Sequence, residues 1–225
     1  MQKKSYLKVS DYIGEKISNG ELKLGDRLPP ERELAKNLDI SRNSIREGLR
    51  ILENIGVVKS QHGAGNFISA EFEETIADVM SYMFILKGMD DKKITEFRYA
   101  IEWEAVNLIT GKLSTKSKEE LVYYLNKLEE SECEKEAVIY DKKIHYLLVE
   151  LTNNDYMKTS YQALTKIMNL YIPRLRGKII LGMKGDKALS GAHRMIVEGV
   201  IEGDLKKSIE GLNHHFEYIM KYQDN

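Results

Sequence analysis

The chain has 225 residues, 42% of them hydrophobic and 31% charged, enough apolar content to bury a core and, with 13 Tyr, too much for a disordered chain. Its single cysteine, Cys133, excludes an internal disulfide and a Cys-rich zinc module, and no uncharged stretch approaches the ~18 residues of a membrane span. A net charge of −1 hides an asymmetry: residues 1–69 carry 12 Lys and Arg against 9 Asp and Glu, while the remainder carries 22 against 26. A basic front on an acidic back is compatible with nucleic-acid binding by the front alone. Asp11 interrupts the N-terminus before any apolar signal core forms, which points to a cytoplasmic protein.

Leu7, Val9, Tyr12, Ile13 and Ile17 have helical spacing, and Asn19-Gly20 ends that helix. Pro29-Pro30 leads into ERELAKNL, a short helix with Leu34, Ala35 and Leu38 inward and Glu31 and Glu33 near its positive end. Leu38-Asp39-Ile40 makes a turn, and Ser41 is placed to cap the next helix. There Ile45, Leu49 and Leu52 form the buried stripe, leaving Arg42, Asn43 and Arg46 on the outer face. Gly48 within that helix should cost about 1 kcal/mol relative to Ala. Val57-Val58-Lys59-Ser60 and Asn66-Phe67-Ile68-Ser69 read as short strands, joined by the turn His62-Gly63-Ala64-Gly65.

From Ala70 onward the pattern is helical, with helices predicted at 74–87, 91–110, 117–131, 136–152, 155–177, 186–202 and 204–222. The fold class is therefore mainly α. A winged helix-turn-helix occupies 1–70, a linker 71–74, and an all-helical bundle of six or seven helices 75–225.

The order helix, helix, tight turn, helix, hairpin suits DNA reading. The N-terminal end of a recognition helix reaches base edges in the major groove, where arginine can grip guanine bidentately. Arg42 and Arg46 lie four apart at that end beside Asn43, and a wing tip of Gly63-Ala64-Gly65 lets backbone come close to phosphates or enter the minor groove. Residues 28–68, LPPERELAKNLDISRNSIREGLRILENIGVVKSQHGAGNFI, resemble the DNA-binding domain of the GntR family of bacterial transcription regulators. The resemblance implies that Arg32, Arg42 and Arg46 contact DNA, with Gly65 in the wing. Pro30 stands where the family usually has a capping Ser, and Asn66 replaces a common Thr.

In the back part, Asp141 and His145 share one helix face at i,i+4 spacing. His193 sits in an apolar stripe with Leu189, Ile196, Val197 and Val200. His215 has Leu212 and Ile219 as neighbours, whereas His214 leans toward solvent beside Glu210 and Glu217. Three neutral imidazoles and one carboxylate suit a divalent metal, zinc first, with nickel, iron or manganese as alternatives. The competing reading is a set of buried, protein-bonded histidines without metal.

The stretches ITEFRYAIEWEAVNLI, YDKKIHYLLVELTNN, SGAHRMIVEGVIEGD and LNHHF resemble the FCD effector domain of the FadR subfamily of the same regulators. In many members an Asp and three His hold a metal, and that set falls on Asp141, His145, His193 and His215. By the same resemblance Arg98 matches an arginine that often pairs with the effector. Ile144 replaces a usual Phe, and Ala192 replaces an acidic residue. Independently, Glu102 lies four residues beyond Arg98, so an exposed ion pair would explain that arginine without a ligand, although Ile94 and Ile101 put it on the inward side of its helix. Trp103 reads as a packing residue.

These features point to a regulator, not an enzyme: a homodimer on a palindromic DNA operator, whose helical part senses a small organic acid through a bound metal. The alternatives are a metal-dependent enzyme built on the same Asp/His cluster, with Glu150 or Glu198 as base, and a DNA-binding dimer without effector.

Overall fold

The structure, a computed structural model, describes residues 5–88, 90–171 and 187–223. The chain divides into two compact units, Met1–Ile76 and Ala77–Asn225.

The first unit contains α1 (Leu7–Ser18), α2 (Glu31–Leu38), α3 (Arg42–Asn54) and an antiparallel hairpin of β1 (Val58–Gln61) and β2 (Gly65–Ile68). The apolar stripes of the three helices close on one another around Val9, Ile13, Leu34, Ile45, Leu49 and Leu52, with Val58 and Ile68 from the hairpin. Asp39 ends α2 in the left-handed conformation, and the Ser41 hydroxyl caps α3 by accepting the Ser44 N–H at 3.1 Å. Pro30 supplies no side-chain cap, but its carbonyl accepts the N–H groups of Glu33 and Leu34. Gly48 is more than the predicted propensity cost. A Cβ there would stand 2.6 Å from Val9 Cβ and 2.8 Å from the Tyr6 carbonyl, so the crossing of α1 over α3 requires its absence.

The hairpin is shifted by one residue from the sequence reading. Val57 N–H bonds back to Leu52 O and finishes the helix, so β1 starts at Val58, and Gly65 pairs with Gln61 as the first residue of β2. The tip is therefore His62-Gly63-Ala64. The preceding loop also contributes: Leu28 N–H bonds Asn66 O, and Arg27 bridges Phe67 along the outer edge of β2.

The helical unit is formed by α4 (Glu73–Leu86), α5 (Asp91–Ile109), α6 (Thr115–Glu129), α7 (Glu134–Glu150), α8 (Asp155–Tyr171), α9 (Lys187–Glu202) and α10 (Leu205–Gln223), the first turn of α4 belonging to the N-terminal unit. Because α4 begins at Glu73, the second half of the expected linker is helical; Glu73 and Glu74 suit the positive end of that helix. Ser114 accepts the Ser117 N–H at 3.1 Å and starts α6 two residues before the predicted boundary. Residues 172–177, assigned from sequence to the end of the helix at 155, and residue 186, assigned to the next, lie outside the described residues.

The core of this unit gathers Val106, Leu121, Ile144, Leu148, Ile196 and Phe216 from five helices. Helices α9 and α10 pack so closely that a Cβ on Gly211 would lie 2.8 Å from the Ala192 carbonyl, which brings the histidine after Ala192 beside α10. Trp103 departs from its packing assignment. It is 38% exposed, because the inward face of α5 carries Arg98, Glu102 and Ala105 instead. Among the described residues no helix is long and apolar enough to cross a membrane.

Candidate metal centre and nucleic-acid interface

Three helices bring the four expected metal ligands together. Asp141 and His145 stand one turn apart on α7, His193 comes from α9, and His215 from α10. One potential ligand atom from each lies within 4.8 Å of all the others, and all four residues are buried. His193 Nε2 is 3.0 Å from Asp141 Oδ1, 3.2 Å from His145 Nε2, and His145 Nε2 is 3.6 Å from the same carboxylate oxygen. His214 is exposed and takes no part.

Both ring nitrogens of His215 are buried without a hydrogen-bond partner, although its ring lies 4.5 Å from that of His145 and 4.6 Å from that of His193. Leaving such a group unpaired costs about 1–3 kcal/mol. A divalent cation among three imidazoles and a carboxylate would give it the missing partner, and the donor set fits zinc or a neighbouring transition metal. The electrostatics agree. Burial, and then repulsion from the other two histidines, holds the His215 pKa well below the usual value, keeping the ring in its neutral, ligating form. Burial would raise the Asp141 carboxyl, but hydrogen bonds to His145 and His193 outweigh it and keep the carboxyl well below its ordinary range.

A second layer lies behind His145. Its Nδ1–H donates to Glu102 Oε2 at 2.5 Å, while the other Glu102 oxygen accepts Arg98 Nε–H at 2.6 Å and the Tyr161 hydroxyl at 2.7 Å. The Arg98 guanidinium also stands over the Phe216 ring at 5.1 Å. Burial opposes charge on Glu102, but Arg98 and then His145 hold its pKa below the ordinary value. Burial likewise opposes charge on His145, and Glu102 overrides it and raises the His145 pKa. The Arg98–Glu102 pair foreseen at i,i+4 is thus made, but buried instead of exposed.

In the sequence Glu102 stands out only as an i,i+4 partner for Arg98, and nothing there marks Tyr161, one of 13 tyrosines. On the outer side of this layer a cleft of about 250 Å³ opens between Arg98, Tyr161, Lys142 and Lys143 on one hand and the carboxylates of Glu120 and Glu150 on the other, and none of the four candidate ligands lines it. The bases imagined for an enzyme stand outside the cluster. Glu198 is engaged by Arg194 and Lys207, and Glu150 lies 3.8 Å from Lys158.

In the N-terminal unit, Arg42, Asn43 and Arg46 are exposed along the first turns of α3, and Arg32 is exposed on α2. Arg46 Nε donates to Glu31 Oε2 at 2.8 Å. Gly65 has φ 109, and a Cβ there would lie 3.2 Å from Arg27 Nε, which places a further cation beside the wing that the sequence reading did not single out.

Comparison with known proteins finds a separate family match for the winged helix and for the helical unit. Residues 5–68 match the family described as bacterial regulatory proteins, gntR family, and residues 93–218 match the FCD domain. The putative L-lactate dehydrogenase operon regulatory protein of Escherichia coli is 25% identical over 219 residues, spanning 94% of this chain and 83% of that protein. The HTH-type transcriptional regulator LutR of Bacillus subtilis is 30% identical over 144 residues, 63% of this chain and 65% of LutR. Among solved structures, Streptococcus agalactiae GntR shares the fold with a TM-score of 0.64 at 18% identity, covering 96% of this chain and 99% of that one. A winged helix with an exposed arginine face, an FCD-type helical unit and relatives that are transcription regulators make this chain a DNA-binding transcription regulator of the GntR family.

Proposed function

We propose that this regulator binds a palindromic operator in the cytoplasm as a homodimer and senses a small organic acid through a metal ion in its helical unit. Arg42, Asn43 and Arg46 would read base edges, with Arg32 and the Gly65 wing on the backbone; two-fold symmetry doubles the few base contacts of one winged helix. Asp141, His145, His193 and His215 would hold the ion, zinc first. Bound there, the ion would supply a Lewis-acidic anchor for a carboxylate, with the Arg98 guanidinium behind Glu102 as counter-charge. The observation that carries the reading is His215, whose two buried nitrogens lack partners within a cluster of metal-ligating groups. That a 25% identical relative is named for an L-lactate dehydrogenase operon favours a small hydroxy acid as the class to try first. Acid binding would shift the last helices and, through residues 70–74, the spacing of two DNA readers.

Elemental analysis of protein purified without chelator or nickel resin should give about one metal per chain, on the single-site premise. His193→Ala should lose that metal and, in a DNA-binding titration with a panel of hydroxy acids, lose the response to acid. A wild-type protein that takes up no supplied ion would reduce the site to a buried histidine cluster. Sedimentation showing only monomer at micromolar concentration, with and without DNA, would end the dimer reading.

A further inference from the structure

We infer that Glu102 is the outer carboxylate of the metal centre: it positions His145 for coordination, and Arg98 and Tyr161 hold Glu102 in place. The inference rests on the metal reading above and assigns roles to residues that no direct ligand set contains. Glu102 is wholly buried, and both of its oxygens are engaged, one by His145 Nδ1–H at 2.5 Å and the other by Arg98 at 2.6 Å and Tyr161 at 2.7 Å.

That arrangement has a chemical consequence at the other side of the imidazole. With its Nδ1 proton committed to a carboxylate, a neutral His145 carries its lone pair on Nε2, the atom that faces His193 and Asp141. A hydrogen-bonded carboxylate also makes the imidazole a stronger donor and fixes the plane of its ring. Arg98 pairs with the second oxygen, so that Glu102 keeps its charge in the interior even when its other partners, a neutral His145 and the Tyr161 hydroxyl, carry none. If Glu102 served only to neutralise buried Arg98, it would have no need to face His145; the 2.5 Å contact across 43 residues of sequence is what that simpler role leaves unexplained.

The test uses the full-length protein, with Zn²⁺ affinity measured by chelator competition and the visible spectrum of the Co²⁺-loaded form. Glu102→Gln should weaken Zn²⁺ binding by about 10–100-fold and shift the Co²⁺ bands, because the imidazole loses its anionic partner. Should that variant fail to fold, Tyr161→Phe decides: it keeps both charges and removes one hydrogen bond to Glu102, and should weaken Zn²⁺ by about 2–10-fold. A purely structural Glu102 would lower the unfolding temperature of metal-free protein while leaving affinity and spectrum as in wild type, and that result overturns the role. Wild-type protein that binds neither ion overturns the metal site itself, and this role with it.

Discussion

Two Arg–Glu pairs of nearly equal length sit in the two units and have opposite energetics. Arg46–Glu31 closes at 2.8 Å with side chains 65% and 34% exposed, and Arg98–Glu102 closes at 2.6 Å with side chains 7% and 0% exposed. In water the first pair is screened and contributes about 0–1 kcal/mol, so Arg46 can leave Glu31 for a base edge at little cost. The second pair has been taken out of water, where losing one partner strands the other charge. Distance alone does not separate an arginine free to recognise a partner from one committed to the interior; burial does. An effector carboxylate that recruits Arg98 must therefore compete with Glu102, or approach the guanidinium from the cleft side without displacing it.

The largest effect expected from this contrast is on stability. Arg98→Ala should cost about 3–5 kcal/mol of helical-unit stability, read in urea by the fluorescence of Trp103 on the same helix. A loss below about 1 kcal/mol would show that the buried pair is no different from a surface one.

Arg46→Ala should lose about 1–3 kcal/mol of operator affinity and relax specificity at one base while leaving the melting temperature near wild type. Unchanged affinity in a gel-shift titration would remove α3 from the groove.

The next effect concerns pH. Burial works against protonation of His145, but Glu102 wins and raises its pKa, so below that raised value a metal must displace a proton. Zn²⁺ affinity should accordingly fall by about ten-fold per unit as pH drops through the raised His145 pKa, and level off above it. Flat affinity between pH 8 and 6 would mean that metal displaces no proton from His145 in that range, and so that Glu102 does not raise its pKa.

The smallest effect tests the surface pair. Glu31→Ala should change stability by no more than about 1 kcal/mol in urea unfolding. A larger loss would mean that the exposed pair holds α2 to α3.

Much of the fold was legible because its determinants are local. The stripe of Ile45, Leu49 and Leu52, the Ser41 cap and the turn at Asp39 act within a few residues, and they place Arg42, Asn43 and Arg46 outward without help from any tertiary contact. Boundaries moved where a local signal competed with a neighbour's. Val57 was drawn into the end of α3, and Ser114 captured α6 ahead of Ser117. At Gly48 the propensity argument predicted a defect, and packing against Val9 turned it into a requirement.

The Asp141–His145 pair was readable from one helix, since four residues span about one turn. That His193 would meet them across 52 residues from Asp141 depends on the close approach of α9 and α10, which side-chain periodicity does not encode. The second layer, behind His145, was harder still. Tyr161 reaches Glu102 across 59 residues, and Glu102 reaches His145 across 43. Sequence by itself thus determined which residue types sit on which helix face, because a helix repeats every 3.6 residues whatever it packs against. Tertiary structure alone decided that Arg98 is buried, that Glu102 faces both it and His145, and that His215 has no partner, because those contacts exist only where separate helices close on one another.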